Sequence, residues 1–387
     1  MNVLFIAPQP FYEERGTPIA VDLILRVLSE RGEKVDLVTY HLGKDVHYEN
    51  INIHRMISVP FIQIVSPGFS FKKVICDIFL FWKVIFMVTR VRFDVIHAVE
   101  ESVLVAFILK KLCGIDYIYD MDSRLSKQMI DKFPYLRPIA AIIYFVERLV
   151  IQNATILVPV SEALVEDIMD DGFDNVIILH DVPLPNNING EKNEPIRKEL
   201  GISGLLIMYV GNLESYQGID LLLESFALIE KQSELINLAI IGGQDKDIQK
   251  YERKSRDFGI KSRVRFLGPR PVKNLSRYLS EADILVSPRI LGENTPMKIY
   301  SYLESGKAII ATNLRTHTQV LDDKVALLVA PTPKSFAQGM RTLADDEALR
   351  KELGNRGKKL IQEKYNFQNF KTSVNHIYDC IAPQQSD

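Results

Sequence analysis

Apolar residues along this chain fall into short, nearly continuous runs separated by longer amphipathic stretches. The runs Val3–Ala7, Val35–Tyr40, Ile51–Met56, Val95–Val99, Tyr117–Met121, Ile156–Val160 and Val176–Leu179 read as strands. Pro18–Glu30, Phe71–Thr89, Ser102–Leu112, Pro138–Gln152 and Glu162–Met169 read as helices between them. Strands apolar at nearly every position, with helices between, predict a parallel sheet covered on both faces. Alternation stops at residues 182–204, where Pro, Asn and charged residues give linker composition. A second series follows, with strands at Leu205–Val210, Leu238–Ile241, Val264–Leu267, Ile284–Val286, Ala308–Ala311 and Val325–Val329. The prediction is an α/β chain of two Rossmann-like domains, residues 1–182 and 205–365, joined by a linker at 183–204. Their parallel sheets are expected to face each other across a cleft, with ligands beyond the strand carboxyl ends.

Composition narrows this only slightly. With 387 residues, 47% hydrophobic and 25% charged, the chain has ordinary globular proportions. A net charge of −2 argues against nucleic acid as the main partner. The charge is uneven, with 18 Lys/Arg against 24 Asp/Glu in residues 1–185 and 29 against 25 in the remainder. An anionic ligand therefore sits more comfortably on the second half. Three cysteines without CxxC spacing encode neither a disulfide framework nor a zinc site. Asn2–Ala7 lacks the basic leader of a signal peptide and reads as a buried strand, so a cytoplasmic setting is expected. Val74–Arg92 is interrupted by Asp77, Lys83 and Arg90, too charged for a membrane span.

The chemistry concentrates in residues 286–313, VSPRILGENTPMKIYSYLESGKAIIATN. Thr295 is a good N-cap and Pro296 suits the first helical position, so a helix is expected to start there. Lys298 then stands in the first turn and opposes the helix dipole, at about 0.3–1 kcal/mol. An anion bound at the helix start would compensate; a solvated surface lysine is the plainer alternative. Glu293, just before the helix, reads either as a ligand-facing carboxylate or as one placed to favour the dipole.

The stretch GENTPMKIYSYLESGKAIIATN resembles the donor-site signature of family 4 glycosyltransferases of the GT-B fold. Three further stretches resemble that family in the same order. IAPQPFYEERGTPIAVDLILRVLSERGEKVDLVT is similar to its first strand, Gly loop and helix. MYVGNLESYQGIDLLLESF is similar to the strand that opens its second domain, and FLGPRPVKNLSRYLSEADILVSP to the stretch before its donor loop. Residues 366–387 would be its last helix, returning to the first domain. The resemblance implies retaining transfer of a sugar from a nucleotide-diphosphate sugar to a glycan or lipid-linked acceptor hydroxyl. It implies neither metal nor cofactor, so helix dipoles and basic side chains would stabilise the leaving diphosphate. Carried over by position, Glu293 would bind donor sugar hydroxyls, Lys298 would face the diphosphate, and Asn294 and Thr295 would meet the donor through backbone N–H groups. Gly16 would let the first loop approach the phosphates, ahead of a helix starting at Thr17-Pro18.

The departures from the family pattern are as informative. The family places a second carboxylate eight residues after the first, where this chain has Ser301. Its diphosphate-gripping Arg and Lys are here Asn212 and Gln217, so Arg289 or Arg270 is expected to take over part of that role. Asp122 stands where related enzymes often carry a His near the reacting sugar. These changes keep a non-catalytic binding subunit open, and a sugar-nucleotide epimerase shares the two-domain fold. Asp120 and Asp122 share a strand face, so a metal-bearing nucleotide-sugar site is a weaker rival. Gly242-Gly243 and Ser305-Gly306-Lys307 match neither a dinucleotide site nor a Walker A loop. Finally, Phe71–Phe93 carries five basic residues against Asp77 among large apolar ones. A peripheral contact of residues 71–92 with the inner membrane face fits that pattern, as does a helix buried against the sheet with its charges at the ends.

Overall fold

The computed structural model describes residues 1–63, 65, 70–169, 172–184, 195–230 and 236–382. The chain divides into two compact units, Met1–Asp181 with Gln368–Asp387, and Val182–Phe367. Unit 1 holds strands β1 (Asn2–Ala7), β2 (Lys34–Thr39), β3 (Ile51–Arg55), β4 (Val95–Val99), β5 (Asp116–Met121) and β6 (Ile156–Pro159). Its helices are α1 (Gly16–Glu30), α2 (Phe71–Val88), α3 (Val103–Cys113), α4 (Leu125–Lys132), α5 (Ala140–Asn153) and α6 (Glu162–Ile168). Unit 2 holds α7 (Ile196–Glu199), β7 (Leu205–Val210), α8 (Ile219–Glu230), β8 (Ile236–Ile241), α9 (Asp245–Asp257) and β9 (Val264–Gly268). It continues with α10 (Leu275–Glu281), β10 (Ile284–Ser287), α11 (Lys298–Glu304), β11 (Ala308–Thr312), α12 (Arg315–Thr318) and β12 (Leu327–Val329). The helices α13 (Pro333–Asp345), α14 (Glu347–Glu363) and α15 (Phe367–Asp379) close the chain.

Both sheets are six-stranded and parallel, in the orders β3-β2-β1-β4-β5-β6 and β12-β11-β10-β7-β8-β9. Read from opposite edges these are one topology, β7 taking the place of β1 and β10 that of β4. The central strands bury every residue along most of their length, as covered parallel strands must.

Three expectations are corrected. Val176–Leu179 is no strand of the sheet: it runs beside β6, Ile177 N bonding Leu157 O at 3.0 Å and Leu179 N bonding Pro159 O at 3.0 Å, but pairs with it only through the single bridge of Val176 to Leu157. The stretch read as a linker at 183–204 contains α7, whose Ile196 is buried in the unit 2 core; residues 185–194 of it lie outside the described ones. The helix placed at Thr17-Pro18 starts at Gly16, with Arg15 as its cap residue.

The last helix, α15, packs on unit 1. Arg31 binds Asp379 at 2.8 Å, Lys371 binds Glu30 at 2.5 Å, and the Tyr378 hydroxyl lies 2.8 Å from His97 Nδ1.

Candidate functional site

In each sheet the crossovers reverse direction at the centre, between β1 and β4 and between β7 and β10. Ligands of such sheets bind beyond the strand carboxyl ends at that switch point, so the side chains there decide what each unit takes.

In unit 2 these are cations. Gly211 follows β7 with φ +148, and a Cβ there would lie 2.8 Å from Lys298 Nζ and 2.9 Å from the Tyr209 hydroxyl. Only glycine lets the chain pass beneath the lysine. Gly218, at φ +73, brings the turn holding Gln217 against the end of β10, since a Cβ would meet the Pro288 carbonyl at 2.0 Å. Lys298 Nζ donates to Gln217 Oε1 at 3.1 Å and lies 4.0 Å from the Tyr209 ring centroid. Burial, reinforced by nearby Arg289, pushes its pKa well below the usual lysine range. Arg289 donates from Nη1 to the Asn294 carbonyl at 2.9 Å and from Nε to the Leu291 carbonyl at 2.8 Å. Its guanidinium stands 5.1 Å from the Tyr216 ring, and burial lowers its pKa too. Among the described residues neither cation has a carboxylate partner. Two adjacent cations with only neutral partners are electrostatically incomplete, and an anion is what completes them.

The loop carrying Glu293 is fastened from below. Gln319 donates to the Glu293 carbonyl, and Thr316 Oγ1 to the Asn294 carbonyl at 2.6 Å. Thr312 Oγ1 donates to the Arg289 carbonyl at 2.5 Å. His317 anchors this layer, with Nδ1 donating to the Thr312 carbonyl at 2.9 Å and Nε2 facing Ser287 Oγ at 2.8 Å. Burial holds its pKa down at about 4, so it is neutral at physiological pH. The Glu293 side chain remains 43% exposed, 3.8 Å from Arg315.

This fastening explains one correction. The helix expected from Thr295 begins at Lys298, with Met297 as cap residue, and the Thr295 hydroxyl is buried without a partner. The carbonyls before it are already claimed by Arg289, Thr316 and Gln319, so the chain enters the helix through a tight turn, Ile299 N bonding Pro296 O at 2.9 Å. Lys298 is accordingly no solvated surface lysine.

Asn212 spends its side chain locally, accepting from Glu214 N at 3.3 Å and donating to the Tyr216 hydroxyl at 3.4 Å. Ser301 is not gathered with the cations; it lines a separate hollow with Leu184, Val272, Leu275, Leu279 and Ser305. Arg270 is engaged by Glu199 at 2.6 Å, which leaves Arg289 as the arginine beside Lys298.

In unit 1 the switch point carries carboxyls. Glu100 directly follows β4 with φ +50, an uncommon backbone for a residue with a side chain. Its carboxyl is hydrogen-bonded to that of Asp122, which also accepts from Thr17 Oγ1 at 3.1 Å. Burial, then the charges of Asp120 and Asp181, raise the Asp122 pKa to about 8. Burial and Asp120 raise that of Asp181 to about 7. Asp120 Oδ2 lies 3.4 Å from His97 Nε2. Among the described residues no group of three His, Cys, Asp or Glu could hold a metal ion. Gly16 opens α1, and a Cβ there would meet nothing within 4 Å.

Glu100, Asp181, Tyr209, Tyr216, Thr316, His317 and Gln319 escape the sequence reading. Only Glu100 and Asp181 carry a local signal, as charges placed just past apolar runs.

Two family models match the chain, "Glycosyl transferase 4-like domain" over residues 15–180 and "Glycosyl transferases group 1" over residues 192–360. A D-inositol 3-phosphate glycosyltransferase of Corynebacterium aurimucosum is 25% identical over 351 residues, 85% of this chain and 82% of that one. The match to the Corynebacterium glutamicum counterpart is 26% identical over 54% of this chain and spans about half, 53%, of that relative. Sucrose-phosphate synthase from Thermosynechococcus elongatus superposes with a TM-score of 0.77 at 18% identity, covering 98% of both chains. Anabaena HepE in complex with UDP-glucose gives 0.73 at 15% identity, over 98% of this chain and 99% of that one. With both units matched in order, the chain belongs to family 4 of the GT-B glycosyltransferases.

Proposed function

We propose that this protein transfers a hexosyl group, with retention at the anomeric carbon, from a nucleoside-diphosphate sugar to a hydroxyl of a glycan or lipid-linked acceptor. One observation carries the reading: Lys298 and Arg289 stand together at the β7 and β10 ends without a carboxylate between them. A diphosphate supplies the missing charge. As the sugar leaves, negative charge grows on that diphosphate, and preorganised cations favour the transition state over the ground state. Glu293, exposed at the loop tip, accepts hydrogen bonds from donor sugar hydroxyls. Backbone N–H groups of Asn294 and Thr295 meet the donor beside it. Glu100 and Asp122, hydrogen-bonded carboxyl to carboxyl in a buried setting, keep a proton between them at neutral pH, with Asp122 as the acceptor. The reaction needs no metal and no cofactor, and the leaving phosphate oxygen receives the acceptor proton. The similarity to HepE, whose structure holds UDP-glucose, supports a uridine donor.

The test is a thermal-shift screen against UDP, GDP, ADP and their sugar conjugates, followed by transfer assays. A nucleotide at a hundred times its dissociation constant adds about 2.7 kcal/mol to stability. A shift with one nucleotide series and none with the others supports the reading, and no shift with any moves the chain to a non-catalytic role. A donor consumed without acceptor points instead to an epimerase.

A further inference from the structure

Right-handed crossovers from β3 to β4, β4 to β5 and β5 to β6 place α2, α3 and α5 on one face of the unit 1 sheet. Their inward residues, among them Leu80, Val84, Ala106, Leu109 and Val150, share one core. What distinguishes these helices is their outward side. On α2, Val74, Ile78, Trp82 and Phe86 recur every fourth residue and all are exposed, Trp82 by 63%. On α3, Leu104, Ile108 and Leu112 repeat the same spacing, also exposed. On α5, the exposed Ile142, Phe145 and Val146 stand three and four residues apart. Spacings of three and four put each set in one stripe, so three helices turn apolar stripes to the same side. Among the described residues of unit 2, the exposed large apolar side chains are only Leu228, Phe258, Ile290 and Leu291.

The exposed charges carried by α2, α3 and α5 have one sign: Lys72, Lys111 and Arg148 are exposed, and Lys83 is half-buried. The two carboxylates of these helices point elsewhere: Asp77 receives the Tyr40 hydroxyl, and Glu147 is buried with Arg124 and Ser126. Arg90 lies over the Phe86 ring at 3.8 Å, its stem along the apolar surface and its charge at the rim. A patch of this extent on a soluble surface marks an interaction site.

We propose that the outer faces of α2, α3 and α5 seat unit 1 on an anionic lipid bilayer, the apolar stripes entering the interface and the basic rim meeting phosphate headgroups. A second copy of the chain would bring basic rim against basic rim, so the charge selects a lipid surface over self-association. No helix among the described residues is long and apolar enough to cross a membrane, so the contact is peripheral. The proposal stands apart from the transfer reading, since binding is measured without nucleotide or acceptor.

Trp82 is the only tryptophan of the chain and lies midway along α2 on this face, so its fluorescence reports directly. The full-length protein is mixed with phosphatidylcholine vesicles, with and without phosphatidylglycerol. The expected result is flotation with the anionic vesicles, at least about tenfold tighter than with neutral ones and weakened by salt. Trp82 emission should move to the blue and be quenched by brominated acyl chains. Reversing two charges, Lys72→Glu with Lys83→Glu, should lower vesicle affinity at least about tenfold while the nucleotide-induced thermal shift stays unchanged. Absence of flotation with an unmoved Trp82 emission overturns the proposal. It is overturned equally if Trp82 emission shifts with protein concentration, as a dimer forms, and vesicles have no effect.

Discussion

The two units share one strand order yet place acidic side chains in one and basic side chains in the other at the same point of it. Glu100 follows β4 in unit 1, and Arg289 follows β10, its counterpart, in unit 2. Glu100 is hydrogen-bonded to Asp122, which faces Asp120 and Asp181, and among the described residues Lys73 is the one cation acting on Glu100; around Arg289 gather Lys298 and two tyrosine rings. The fold therefore decides where a ligand goes, and side chains at the strand ends decide which charge it brings. The outer layers diverge as well. Unit 1 shows apolar stripes to the outside, whereas α14 in unit 2 shows i,i+4 ion pairs such as Glu352–Arg356 at 2.6 Å.

The sharpest way to break this comparison is to give unit 2 the charge of unit 1. Arg289→Glu should abolish the nucleotide-induced thermal shift and lower transfer by at least about a hundredfold, the scale of losing one preorganised charge contact. Retained nucleotide binding in that variant would show that the cations are structural. Glu293→Gln should act differently, lowering kcat by about 10² or more while nucleotide affinity changes less than threefold. A pair of variants that lost affinity equally would remove the division of labour between loop tip and strand ends. Wild-type donor binding at alkaline pH should also take up a proton, because the depressed Lys298 pKa rises when the diphosphate arrives. Calorimetry in buffers of different ionisation enthalpy measures that uptake, and Lys298→Met should eliminate it.

Much of this was legible before the structure. Apolar runs located all twelve strands, since a parallel strand covered on both faces cannot hide its composition. Lys298 stood out by its place in the first turn of an expected helix, and Glu293 by the resemblance of the stretch around it to a family signature. What escaped depends on pairs far apart in the chain. Nothing near Lys298 announces that Gln217, 81 residues earlier, receives its ammonium. The Thr295-Pro296 cap pattern was sound as a local rule and was overridden by Thr316 and Gln319, which hold the preceding carbonyls. Outward apolar residues were ambiguous for a related reason. Periodicity shows that α2 has two apolar sides, and only the sheet behind it shows which one lacks a partner.

The carboxyl group of unit 1 makes a pH prediction. Asp122 rises from 3.8 to about 8 on folding, so the folded state binds the extra proton. Its contribution to stability is intact below about pH 4 and is lost progressively as pH climbs towards 8. Asp122→Asn keeps an amide able to bond Glu100 and Thr17 without ionising. It should raise the unfolding temperature at pH 9 by several degrees and have a much smaller effect at pH 5. Equal effects at both pH values would mean that Asp122 is already ionised in the folded protein.

The smallest effects separate the two outer layers, and they test whether exposure has been read correctly. Glu352→Gln removes one exposed ion pair from α14, which at surface screening is worth roughly 0.3–0.5 kcal/mol. The unfolding temperature should fall by no more than about 2 °C. Ile108→Ser on α3 should also cost little, because the side chain is 40% exposed and leaves no closed cavity. A loss of several kcal/mol at Ile108 would show that something covers this face in solution. The stripe would then belong to a folded interface, and its contrast with unit 2 would be one of assembly.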